Sequence, residues 1–140
     1  MTPDFCSAVE ELFQLSMAAE YSGMKVFFSN PPPSDEPGTY AVIHILASED
    51  VLPINVGINA KSRNVGIIQV DAFSAKDIGP GQAQRIAHFA GKIYKRLNMN
   101  VTTEGHAVFK DPGVVDRGEV RGKHKQQMRC PYRYDFKDYP

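Results

Sequence analysis

The chain has 140 residues, of which 42% are hydrophobic and 23% charged, which suits a single globular domain and leaves no room for a second full-sized core. No apolar run approaches the ~18 residues of a membrane-spanning helix, and Met1-Thr2-Pro3-Asp4 shows no basic region before an apolar core, so neither a membrane anchor nor a signal peptide is expected. Net charge is zero, yet residues 1–60 hold one base and eight acids (−7) while residues 61–140 hold fifteen bases and eight acids (+7). That split either folds back into internal pairs or suits head-to-tail contacts between copies.

The elements follow in chain order. Thr2 and Pro3 read as the N-cap and first position of a helix, with Phe5, Val9, Leu12, Phe13 and Ser16/Met17 on its buried face and Gly23 as its stop. After a short apolar piece, Lys25–Phe28, four prolines within Pro31–Pro37 fix the backbone and predict a stiff surface connector. Tyr40–Ala47 and Arg63–Phe73 read as strands. Between them, Ile54, Val56 and Ile58 alternate with Asn55, Gly57 and Asn59, so Glu49–Ser62 is expected to extend both strands as a protruding ribbon with one apolar face.

Gly79-Pro80-Gly81 opens a second helix to about Leu97, with Ala83, Ile86, Ala87, Ala90, Ile93, Tyr94 and Leu97 as its buried stripe, Lys95 and Arg96 in its last turn, and Asn98 and Asn100 as its exit. A short strand at His106–Phe109 precedes a loop, Asp111–Lys125, rich in Gly and charge. The last strand places Met128, Cys130, Tyr132, Tyr134 and Phe136 on one face and Gln127, Arg129, Arg133 and Asp135 on the other. Pro131 cannot donate to a ladder, which predicts an edge strand or a bulge. The fold class expected is α+β: a mainly antiparallel sheet of four to five strands, two helices on one face, and a long protruding β-hairpin.

Chemistry is sparse. Cys6 and Cys130 are too few and too far apart for a metal pair or a disulfide scaffold and are expected as free thiols. His44, His88, His106 and His124 fall on separate elements without a companion ligand at metal spacing. Gly79-Pro80-Gly81 lacks the Lys-Ser or Lys-Thr and the third glycine of a phosphate loop, and Pro80 removes a donor. Asp71 and Asp77 could be imagined as a nuclease pair, but no Glu-x-Lys companion accompanies them. Arg117, Arg121, Lys123, Lys125, Arg129 and Arg133 form the densest basic cluster. Asp116 and Glu119 interrupt it, and a protein interface or a solvated loop fits as well as nucleic acid.

The run Arg63-Asn64-Val65-Gly66-Ile67-Ile68-Gln69-Val70-Asp71-Ala72-Phe73, followed by Gly79-Pro80-Gly81-Gln82-Ala83 and an amphipathic helix, resembles the tail terminator proteins of long-tailed bacteriophages. The layout agrees along most of the chain, including the aromatic-rich Pro131-Tyr132-Arg133-Tyr134-Asp135-Phe136; the residue-level likeness is confined mainly to 63–97. The resemblance implies a non-enzymatic virion protein, present in the host cytoplasm during assembly. It would form a ring of its own copies, a hexamer in that family, on the head-proximal end of the tail tube. Its partners would be the tail tube protein and a head completion or neck protein. DNA would only pass through the lumen, and no cofactor, metal or membrane is implied. A neck or head–tail joining protein is the nearest alternative. The residues expected at protein interfaces are Val51, Leu52, Ile54, Val56, Ile58, Lys61 and Arg63 on the ribbon, with Arg117, Arg121, Lys123 and Lys125 on the basic loop, which is expected to stay flexible until a partner orders it.

Overall fold

The computed structural model describes residues 3–28, 38–57, 60–76, 78–101 and 105–137. Helix α1 (Pro3–Glu20) leads into β1 (Lys25–Phe28), β2 (Tyr40–Pro53) and β3 (Lys61–Phe73). Helix α2 (Gly81–Tyr94) is followed by β4 (Asn98–Val101), β5 (Gly105–Phe109), β6 (Gly113–Val120) and β7 (Lys123–Lys137). The strand order is β1-β2-β3-β7-β5-β4, with β6 also paired to β7. The β1–β2 pair is parallel and every other pair antiparallel.

The chain is α+β, but the expected antiparallel sheet of four to five strands is overturned by a seven-stranded, mixed and curled sheet. Two strands escaped the sequence reading for identifiable reasons. In β4 the asparagines that mark a helix exit also alternate with Met99 and Val101, of which Val101 is buried. In β6 nearly every side chain is exposed, so the strand carries no apolar alternation to detect. Its turn to β7 is two residues, Arg121 (φ 53°) and Gly122 (φ 83°), the pair of positive φ angles that a type I′ hairpin requires. The stretch expected as a flexible loop is therefore mostly an ordered hairpin.

The last strand also needs correction. β7 is central, not an edge, pairing with β3 from Lys125 to Lys137 and with β6 and then β5 on its other side. Pro131 sits where that second partner changes: β5 ends at the Phe109–Tyr132 pair and β6 begins at Gly113–Arg129. The Pro131 carbonyl accepts from the Lys110 amide (2.9 Å), so its missing N–H faces the gap between the two strands. A proline fits a central strand here because no ladder bond is due from it.

The core lies between the helices and one face of the sheet. Phe5, Val9, Phe13 and Met17 of α1 and Ala83, Ile86, Ala87, Ala90 and Tyr94 of α2 pack on Ile43, Ile68, Val70, Met128, Cys130, Tyr132 and Tyr134. Phe5 stacks on Tyr134 (4.7 Å between centroids) and meets Tyr132 (4.8 Å). Tyr94 Oη donates to the Val9 carbonyl (2.8 Å), tying the helices together and satisfying a buried hydroxyl that would otherwise cost about 1–3 kcal/mol. Burial raises the Tyr94 phenol far above its ordinary value, so it stays a neutral donor. Helix α2 stops at Tyr94, short of the expected Leu97; Lys95 is its C-cap, and Arg96 turns the chain at φ 52°. Its first turn is capped from outside by Ser74, whose buried Oγ accepts the Ala83 amide (3.1 Å). The Thr2 cap expected for α1 lies outside the described residues.

The expected protruding ribbon is overturned in length and in kind. β2 and β3 stay paired to Pro53–Ser62, and β3 is backed there by β7, with Ser62 opposite Phe136. The hairpin end is thus part of the main sheet, which continues there into β5 and β4 through the Phe136–Gly105 and Gly105–Val101 pairs. Strand structure stops at Pro53, and Gly57 (φ 108°) turns the chain, so Ile54 and Val56 lie in the turn instead of alternating along a strand. Between Ala47 and Val51 the register slips, with residues 48–50 of β2 standing against Val65 alone. Asn64, fully buried, holds this bulge: its Nδ2 donates to the Ser48 carbonyl (3.0 Å), and its Oδ1 accepts from Tyr132 Oη (3.2 Å).

Gly66 is required at this point. A Cβ there would overlap the Leu46 carbonyl oxygen and lie 2.7 Å from Tyr132 Oη, and the carbonyl belongs to a paired strand that cannot step aside alone. Gly66→Ala should lower the unfolding free energy by about 2–3 kcal/mol in urea denaturation. An unchanged midpoint would refute the close approach.

Candidate functional site

Alternation gives each strand a core side and an outer side, and the outer side of β2, β3 and β7 brings exposed apolar side chains and charges together. In β7 the outer positions are Lys123, Lys125, Gln127, Arg129, Pro131, Arg133, Asp135 and Lys137. Register places Leu46 beside Ile67 and Ile67 beside Pro131, with Val65 beside Arg133. Leu46, Val65, Ile67 and Pro131 thus form an apolar strip on this face, and they line a shallow groove of about 570 Å³ that Arg63, Lys110 and Arg133 also border. Val65 and Leu46 are 40% and 44% exposed, high for apolar side chains in the middle of a sheet.

The charges around this strip fall into two groups. Arg63 donates twice to Asp135, from Nε at 2.7 Å and from Nη2 at 3.0 Å. This fork holds the Asp135 carboxyl below its ordinary value, with Arg133 and Lys61 adding to the effect. One acid serves three cations. Among the described residues Arg129, Arg133 and Lys137 form no salt bridge.

The second group satisfies itself. Asp71, buried, accepts from Gln69 Nε2 (3.2 Å) and Gln127 Nε2 (3.0 Å), with His44 Nε2 at 3.3 Å and Lys125 Nζ at 3.9 Å. Gln127 in turn accepts two bonds from Arg117, at 3.1 and 2.8 Å. Beside it, Tyr40 stacks on Phe73 (4.7 Å); Lys123 lies over Tyr40 and donates to the Gly38 carbonyl (2.7 Å), and Lys125 lies over Phe73. Asp71 is therefore the centre of a hydrogen-bonded girdle across four strands. Asp77, its imagined nuclease partner, lies outside the described residues. Among the described residues no three His, Cys, Asp or Glu side chains come together as a metal site.

The interface residues expected from sequence separate accordingly. Val51, Leu52, Ile54 and Val56 are exposed at the hairpin end, Val56 to 93%, and Lys61 is exposed near Arg63. Ile58 lies outside the described residues. Arg117, Lys123 and Lys125 are engaged in the girdle, and Arg121 occupies the β6–β7 turn. The two sets stand at opposite ends of the β3–β7 ladder, since Lys61 pairs with Lys137 and Phe73 with Lys125; twelve residues of strand separate them by about 40 Å. The apolar strip with Arg129 and Arg133 lies between. Sequence reasoning left it out of the interface, although cations at 125, 129, 133 and 137 repeat at strand period on one face.

The cysteines lie elsewhere. Cys130 is buried in the core with its thiol pushed up to about 11 by burial, and Cys6 is half-buried with its thiol also raised by burial.

Comparison with known proteins shows the fold. No protein-family model matches the chain, and no curated protein sequence does. Among solved structures, one protein whose name states no function superposes with a TM-score of 0.66 at 18% identity, covering 100% of this chain and 99% of its own. A chain from the virion of a native gene transfer agent particle superposes with a TM-score of 0.57 at 16% identity, covering 93% of each chain. This chain shares its architecture, nearly end to end, with a component of that particle.

The Arg63–Asp135 fork yields a pH prediction. Because the folded carboxyl titrates below its ordinary 3.8, the pair contributes stability above that value and loses it as pH falls through the lower, folded value. Asp135→Asn should cost about 1 kcal/mol near pH 7, with the gap from wild type closing below about pH 4 in denaturation series. A gap constant down to pH 2 would show that the ion pair is not its source.

Proposed function

We propose that the chain is a structural protein of a phage-like particle, a tail terminator: a ring of its own copies that caps the head-proximal end of the tail tube, stops tube growth and presents a surface to a head or neck protein. The observation that carries this reading is the fold shared across 93% of both chains with a component of a gene transfer agent virion. The tail terminator resemblance of residues 63–97 adds to it. So do the exposed apolar hairpin end and the exposed cations of the outer sheet face, features of a surface suited to being covered by protein. On this reading the protein is not an enzyme and needs no cofactor. Its buried carboxylate is spent on holding four strands together.

A ring requires heterologous contacts, in which one face of a copy meets a different face of the next. The hairpin end, with Val51, Leu52, Ile54 and Val56, would contact the tube subunit beneath or the adjacent copy. DNA would pass through the lumen.

Particle assembly without the protein distinguishes this role from its nearest rival. Negative-stain images should show tails longer than normal; tails of normal length, detached from heads, would instead identify a head–tail joining protein. Replacing Leu52, Ile54 and Val56 together by Ser should leave the fold within about 0.5 kcal/mol of wild type, because all three are exposed, while abolishing capping of tubes. Normal capping by that variant would remove the hairpin from the mechanism.

A further inference from the structure

We infer that the apolar strip and the exposed arginines of the outer sheet face form the docking site for helix α1 of a second copy of the chain. The inference rests on the ring-forming reading above and names the contact that would build it.

The two surfaces are complementary and lie on opposite layers of the molecule. Helix α1 packs through Phe5, Val9, Phe13 and Met17, leaving Asp4, Ser7, Glu11, Gln14, Leu15 and Ala18 exposed along its outer face. It holds four acids, Asp4, Glu10, Glu11 and Glu20, and no base. Leu15 is 63% exposed, a large apolar side chain on the outside of a helix whose buried stripe does not need it. The outer sheet face offers the reverse pattern: Leu46, Val65, Ile67 and Pro131, flanked by Arg129, Arg133 and Lys137.

The spacings also agree. From Leu15, Glu11 lies about 6 Å back along the helix and Asp4 about 16 Å, both close to the same side. From Pro131, Arg133 lies about 7 Å along β7 and Lys137 about 20 Å, with Lys61 beside Lys137 on β3. A helix laid along β7 with Leu15 over Ile67 and Pro131 therefore brings Glu11 to Arg133 and Asp4 to the Lys137–Lys61 pair. The residual mismatch is within the reach of lysine and arginine side chains. Ser7 and Ala18, both small, let the helix lie close.

The apolar strip decides between an acidic helix and a nucleic acid. A phosphate backbone would use Arg129, Arg133 and Lys137 but would leave Leu46, Val65, Ile67 and Pro131 against water and charge; a helix carrying both carboxylates and Leu15 covers both. The contact joins unlike faces, so each copy offers one α1 and one sheet face, the arrangement from which a closed ring is made.

The test uses the full chain and two exposed positions, Arg129→Glu with Arg133→Glu, followed by sedimentation equilibrium at low salt. Wild type is expected as an oligomer, and the double variant as a species about tenfold or more weaker in self-association, with unchanged circular dichroism. Glu11→Arg should weaken association alike, and combining it with Arg133→Glu should recover much of the loss. An oligomer that persists in the Arg129/Arg133 variant would overturn the contact while leaving the ring reading intact. Wild type that stays monomeric at every concentration would overturn both. Retention on double-stranded DNA lost by the double variant, with its oligomer unchanged, would give the face to nucleic acid and overturn the proposal.

Discussion

The structure depends on the two-sidedness of β7. Its inward row, Met128, Cys130, Tyr132 and Tyr134, is fully or almost fully buried under Phe5, Phe109 and α2, and it fixes which way every neighbouring strand must face. A one-residue slip would exchange those aromatics for Arg129, Arg133 and Asp135, burying charge and exposing rings. Because β3 pairs with β7 from Lys61 to Phe73 and β2 pairs with β3, the register of the sheet centre follows from that row. The basic outer face is the other half of the same alternation. Its cations are held in a row by the packing on the side they do not touch.

Much of this was legible in the residues. The helical stripes of Phe5-Val9-Phe13 and Ala83-Ile86-Ala87-Ala90-Tyr94, and the alternation of Met128 to Phe136, each bury one face, and such faces are periodic in sequence. What escaped was structure whose cause is not periodic. β6 is exposed on nearly every side chain and is held by backbone pairing and the Arg121-Gly122 turn. Pro131 argued for an edge because its missing donor is visible in sequence, whereas the change of partner strand that makes the missing donor harmless is visible only in three dimensions. The expected ribbon is too long because Ile54 and Val56 carry strand period into a turn.

The candidate site was legible only in part, for a related reason. The basic residues stood out as one cluster, yet the fold sorts them by what lies beside them. Arg117, Lys123 and Lys125 are drawn into bonds with Gln127, Gly38 and Asp71, while among the described residues Arg129 and Arg133 form no salt bridge. Sequence distance hides that sorting: Asp71 is 54 residues from Lys125 in the chain and 3.9 Å from it in space. The apolar strip is likewise assembled from three strands, none of which shows more than two of its members.

The bulge between Ala47 and Val51 separates two jobs that a continuous hairpin would have to share. Below it, β2 and β3 are locked by core packing; above it, pairing resumes in a new phase, with Asn64 as the clasp. Insertions, deletions or recolouring of the turn beyond Pro53 would change the reach and stickiness of the tip without shifting a single core side chain. The fold therefore sets a tip whose length and polarity can change on a frame whose register stays fixed.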